Sequence, residues 1–133
     1  MNELARNKCV LTLDNLVFDK IVFQRKGFKN KNKLCFRFGF GFEEQEERGF
    51  AVHLSVFGKK EQEYEFEIVA SGYFTLDPGE DPMQIIKQNA VAIIFPYIRS
   101  QISLLTAQPE MTPVVLPPVN IVQLLEDAVN EDN

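Results

Sequence analysis

The sequence contains no tryptophan, a single histidine and two cysteines in 133 residues. One histidine, His53, excludes triads that need a second histidine and metal sites built from several imidazoles. It falls mid-strand on the face opposite Phe50 and Val52, which suits a surface or interface residue. The cysteines, Cys9 and Cys35, do not form the spacing of a disulfide framework, and neither has the flanks of a catalytic thiol. They read as reduced thiols in a cytosolic protein. No window reaches the roughly 18 apolar residues of a membrane span, because Pro96, Arg99, Ser100 and Gln101 interrupt the best one. Met1–Lys8 is charged where a signal peptide needs an apolar centre, so a cytoplasmic location is expected. Basic charge is short as well, with 14 Lys and Arg against 19 Asp and Glu and a net charge of −5. Neutralising phosphates needs a basic face, so a general nucleic-acid binder is not expected; the balance suits a basic or unfolded-chain partner. Phosphate loops and serine-nucleophile motifs are missing, and Gly39-Phe-Gly41 lacks the third glycine and following helix of a dinucleotide site. The carboxylates gather in turns and on an outward strand face. The expectation is therefore no catalytic residue, no metal, no cofactor and no enzyme.

What the chain has in excess is phenylalanine, 12 of them beside 3 tyrosines. Length and a 45% hydrophobic fraction predict one domain over 1–133 with a real core, its ends at 1–8 and 130–133 flexible. Cys9–Gln24 reads as one long strand with bulges. Leu11 and Leu13 share a face, Leu16 and Phe18 the other, and Ile21 and Phe23 switch again, and each switch needs an extra residue. Arg25–Lys33 is a basic loop. Leu34–Phe42 follows, with Leu34, Phe36, Phe38, Phe40 and Phe42 on one face by strict alternation, as core or as the wall of a groove. An acidic turn at 43–49 leads to a strand over Phe50–Phe57. After the turn at 58–62, a fourth strand runs over Glu63–Thr75 with Glu65 and Glu67 facing water. The last three strands form an antiparallel meander, and the first joins its edge through the basic loop.

The prolines at 78 and 82 end the sheet, and a helix starts near Pro82. Its stretch Ala90–Phe95 is apolar all the way round, so one sheet cannot cover it. Pro96 predicts a kink or restart near Phe95, with a second segment to about Thr106. Residues 107–119 form a proline-punctuated loop in which Val114, Val115 and Leu116 need a surface to lie on. Asn120, with Gln123 three residues later, caps a short last helix. The fold class is α+β: a four-stranded antiparallel sheet packed on a long kinked helix and a short C-terminal helix. Left open by the residues alone are a closed pocket for a small apolar ligand and an oligomeric scaffold without client.

Three local patterns resemble one family. Ile94-Phe-Pro-Tyr-Ile-Arg99 and Leu116-Pro-Pro-Val-Asn120 resemble the Phe-Pro-Tyr-x-Arg and Leu-x-Pro-Val-Asn signatures of the SecB protein-export chaperones, and Gly72-Tyr-Phe74 is similar to the family's Gly-x-Phe. The order of elements agrees over about Cys9–Val129. The resemblance implies an ATP-independent holdase for unfolded or precursor polypeptides, a homotetramer built as a dimer of dimers, and grooves between sheet, long helix and the following loop. Carried over, the client-binding candidates are Phe36, Phe38, Phe40, Val114, Val115 and Leu116. Helix packing between copies implies an oligomer interface at Ile93, Phe95, Tyr97 and Ile102. The family's contact with the SecA ATPase in export falls at Glu67 with Glu65 beside it, while Asp14 and Asp19 do not align with the first-strand acidic pattern.

Overall fold

A computed structural model describes residues 10–77, 79, 81–116 and 120–132, with side chains in the last helix described through Glu126. Cys9, the flexible ends expected at 1–8 and 133, and the prolines at 78, 117 and 118 lie outside the described residues. The chain runs β1 (Val10–Arg25), β2 (Leu34–Glu44), β3 (Gly49–Lys60), β4 (Tyr64–Asp77), α1 (Met83–Thr106) and α2 (Ile121–Asp132). Helix α2 extends through 130–132, part of the end expected to be flexible. The strands form one antiparallel sheet in the order β1-β4-β3-β2. The meander is β2-β3-β4, as alternation requires. Strand β1 joins its far edge, beside β4, so residues 26–33 cross the end of the sheet.

The two phase changes in β1 are bulges, at Leu13/Asn15 and at Phe18/Lys20. The extra residue is an aspartate each time. Asp14 accepts a hydrogen bond from Thr75 Oγ1 at 2.6 Å, and Asp19 accepts one from Ser71 Oγ. Each bulge is thereby pinned to β4, and Leu11, Leu13, Leu16, Phe18 and Phe23 all reach the helix side of the sheet, packed against the core. A bulge turns the strand so that the side-chain set does not flip to solvent.

Helix α1 lies across this face. Ile86, Ala90, Val91, Ile94, Phe95, Ile98, Ile102 and Thr106 are buried against Phe50, Val52, Leu54, Val56, Phe66, Ile68, Ala70 and Phe74. Close approach is set at Gly72, where a Cβ would stand 2.6 Å from Ile94 Cδ1. A side chain there would force Ile94 or the helix to shift. The helix does not restart at Pro96: it is one element from Met83 to Thr106. Pro96 is exposed, as is Ala92, whose carbonyl loses its N–H partner. On the water side that carbonyl can be solvated, which removes much of the usual cost of an internal proline. The same exposed side carries Ile85, Ile93, Tyr97 and Leu104, so the helix is apolar on both sides.

Candidate polypeptide-binding groove

Strand β2 is an edge, and its phenylalanines are only half-covered. Phe36, Phe38, Phe40 and Phe42 face the helix side, the rings of Phe36 and Phe38 stacked with centroids 6.3 Å apart. Phe38 leans on Phe95 at 5.9 Å and Phe36 on Phe66 at 6.1 Å. Phe42 stacks on Phe50 at 6.2 Å. The stripe is thus both core margin and open wall, and its rings pack on one another and on α1. Helix α2 touches β2 and α1, and Ile121, Leu124 and Leu125 lie against the core margin.

The segment before α2 is held by three side chains of α1. Arg99 donates to Leu116 O twice, from Nε at 3.0 Å and Nη2 at 2.7 Å. Ser103 Oγ donates to Val114 O at 2.8 Å, and the Val114 N–H donates to Thr106 Oγ1 at 2.8 Å. A segment without regular structure needs such partners for its backbone. The clamp orients three adjacent residues differently. Val115 is 74% exposed, Val114 half-buried and Leu116 only 6% exposed. Leu116 therefore belongs to the core and not to the binding surface expected of it, because Arg99 draws its carbonyl onto α1. At the far end of the segment, Asn120 Oδ1 accepts from the Gln123 N–H at 3.1 Å, as an N-cap does.

The residues expected at an oligomer interface divide. Ile93 and Tyr97 are exposed, whereas Phe95 is 4% and Ile102 0% exposed against the chain's own sheet. Phe95 and Ile102 are corrected to core residues: they sit on the helix face that Gly72 lets down onto β4. Ile85 and Leu104, which sequence reasoning missed, share the exposed side with Ile93 and Tyr97. Their signal was present in the spacing 85, 93, 97 and 104, which falls on one helical side.

On the outward face of the sheet, Glu65 and Glu67 carry lysine partners, Lys26 at 3.7 Å and Lys20 at 2.7 Å. His53 is half-buried there, with Nδ1 2.7 Å from Ser71 Oγ, and Ser71 in turn donates to Asp19. This is not a triad. Serine stands between the other two, is fully buried, and gives its proton to the carboxylate instead of to the histidine. No cluster of metal-ligating residues occurs among the described residues. Cys35 is an exposed free thiol on β2. No helix among the described residues is long and apolar enough to cross a membrane.

The arrangement, with a four-stranded sheet under a long helix and a clamped loop before a short one, has known counterparts. The sequence matches the family described as preprotein translocase subunit SecB over residues 15–132. The chain belongs to the SecB family. Its fold is SecB-like: the Mycobacterium tuberculosis Rv1957 SecB-like chaperone, solved in complex with a ChAD peptide from the Rv1956 HigA1 antitoxin, superposes with a TM-score of 0.64 at 14% identity, over 90% of this chain and 91% of that one. An uncharacterized protein of Methanocaldococcus jannaschii, MJ0357, is 42% identical over 52 residues, which are 38% of this chain and 34% of that protein. The two SecB-type signatures meet in space, since Arg99 of the first holds Leu116 of the second.

Proposed function

We propose that the chain is an ATP-independent holdase that binds unfolded or non-native polypeptide in an apolar surface groove. The observation that carries this reading is the half-open phenylalanine stripe of β2, together with a loop hydrogen-bonded to α1 that holds Val115 out in water. Phe36, Phe38, Phe40 and Val115 are the contacts, with Val114 beside them. Apolar lining gives affinity without sequence choice, at about 25 cal/mol per Å² of apolar surface covered, and the gain accumulates along an extended client. The SecB family assignment and the peptide-bound state of the Rv1957 chaperone support the same reading.

In this proposal the protein works in the cytoplasm as an oligomer, a dimer of dimers, sealed along the exposed side of α1. A role in export with a SecA-type ATPase would use the sheet face around Glu65 and Glu67. Exposed ion pairs such as those with Lys26 and Lys20 contribute little and give way easily to a partner.

The test is suppression of aggregation of a chemically unfolded reporter protein, with no nucleotide present. Val115→Ser is expected to weaken suppression severalfold with an unchanged melting temperature, because the side chain is in water already. Leu116→Ser is expected to lower the melting temperature, because it empties a core position. A wild-type protein that suppresses nothing at tenfold molar excess would reject the holdase reading.

A further inference from the structure

Within this acidic chain the connection between β1 and β2 is an exception. Residues 25–33 hold Arg25, Lys26, Lys29, Lys31 and Lys33 and no carboxylate. Among them Phe28 stands 80% exposed, with the Arg25 guanidinium 5.6 Å from its ring centre. A connection of this length is ordinarily loose. This one is built. The N–H groups of Lys26 and Gly27 both donate to Glu63 O, at 2.8 and 3.2 Å, and a Cβ on Gly27 would collide with the carbonyl of Gln62. The Asn30 N–H donates to Glu63 Oε1 at 3.0 Å, and the Asn30 and Asn32 amides donate to Glu61 O at 3.1 and 2.9 Å. Glu63 itself is 1% exposed and pairs with Lys60 Nζ at 2.7 Å. Burying a carboxylate is costly unless it is paired and hydrogen-bonded, as this one is. Its bonds hold a loop whose tip presents an aromatic ring and a ring of cations to water.

The loop is also tied to the two segments that supply the proposed client contacts. Lys33 leads directly into Leu34 and Phe36 of β2. Arg25 donates to Pro109 O and Glu110 O, at 3.1 and 3.3 Å, at the start of the segment that α1 clamps. We propose that this loop selects clients: it recognises acidic residues flanking an apolar segment of a bound polypeptide. Lys29, Lys31 and Lys33 take the carboxylates, and Phe28 covers the adjoining apolar side chain. The inference rests on the holdase reading and adds a charge preference to it. Charge complementarity argues for an acidic partner, and the neighbourhood argues for a single strand of chain. Glu61 and Glu110 stand exposed beside the loop and would be pressed against the headgroups of an anionic membrane, whereas one strand passing the tip avoids them.

The experiment uses the full chain and three fluorescent 15-residue peptides that share one Leu/Phe/Val centre and differ in flanks of Glu, Ser or Lys. Anisotropy titrations at 50 mM salt are expected to rank Glu over Ser over Lys, with about tenfold between the extremes, and the spread is expected to collapse at 0.5 M salt. The variant K29E/K31E/K33E is expected to invert the ranking. The loop's own hydrogen bonds run through Arg25, Asn30 and Asn32, so a matching thermal melt verifies the variant's fold. Phe28→Ser is expected to reduce binding of the Glu-flanked peptide severalfold. Equal affinity for the three peptides would overturn the inference and leave the holdase reading standing, and failure to bind any of them would overturn both. Capture by phosphatidylcholine–phosphatidylglycerol vesicles through the same lysines, with the peptides unranked, would overturn it in favour of a membrane surface.

Discussion

Glu63 is a carboxylate held in the interior, where its type is seldom found. Burial alone would raise its carboxyl. The hydrogen bonds from Lys60 and the Asn30 N–H, with the charges of Lys60 and Arg25, outweigh that and hold it below the ordinary glutamate value of 4.5. A carboxyl whose pKa is depressed on folding binds fewer protons folded than unfolded, so its stabilisation is complete above the unfolded value and is lost as pH falls through the folded one. Glu63→Gln is therefore expected to lower the urea midpoint at pH 7, and the difference from the wild type is expected to shrink as pH falls below the ordinary glutamate value of 4.5. Parallel curves across that range would show that the charge of Glu63 contributes nothing. At the outward face the comparable residue is Ser71, which is fully buried and donates to Asp19 across the second bulge. Ser71→Ala removes the hydrogen bonds to Asp19 and His53 and is expected to cost about 1 kcal/mol in urea unfolding. Asp14 and Asp19 show what was hidden in the sequence. The phase changes of β1 demanded extra residues, and these two are the extra residues, but nothing in the local pattern says that hydroxyls of β4 hold them.

At the scale of elements, the strands were legible because a period of two has few ways to bury Phe36, Phe38 and Phe40 together. Helix α1 was legible as a helix but not in its orientation. Ala90–Phe95 is apolar without a break, so it carries no phase, and Phe95 and Ile102 look as available to a partner as Ile93 and Tyr97. The phase lies in the polar and proline markers Asn89, Pro96 and Ser100, which share the exposed side with Ile93. What fixes the orientation is tertiary: Gly72 opens a slot that Ile94 fills. Gly72→Ala is expected to cost about 1–3 kcal/mol by overpacking, and Ile94→Val, which deletes the colliding Cδ1, about 1 kcal/mol by itself. In the double variant the new methyl takes up the vacated space, so the combined loss is expected to fall short of the sum by about 1 kcal/mol in a urea-unfolding cycle. Strict additivity would mean that the contact does not set the helix height. The clamp on the loop was legible only in part. Arg99 and Leu116 stand in the two family signatures, yet their hydrogen bond spans 17 residues and has no periodic trace.

For the molecule as a whole, the consequence of a helix apolar on both sides is that one chain does not cover it. Ile85, Ile93, Tyr97 and Leu104 stand between 37% and 68% exposed along one side of α1, with Ala92 and Pro96 between them. Asn89 and Ser100 interrupt this side, yet four large apolar side chains along it make a surface that a partner can cover. A second copy laying the same side of α1 against it would be self-complementary, as a two-fold interface requires. The two faces of the helix then predict opposite failures. Phe95→Asp places an unpaired carboxylate in the core beside Phe38, costs several kcal/mol, and is expected to abolish the cooperative melt of the chain itself. Ile93→Asp with Tyr97→Asp puts two charges on the outer side, where a lone chain tolerates them and a symmetric seam would bring four together. That double variant is expected to keep its circular dichroism and to sediment at the mass of a single chain. If it sediments at the wild-type mass instead, the copies do not meet along the exposed side of α1.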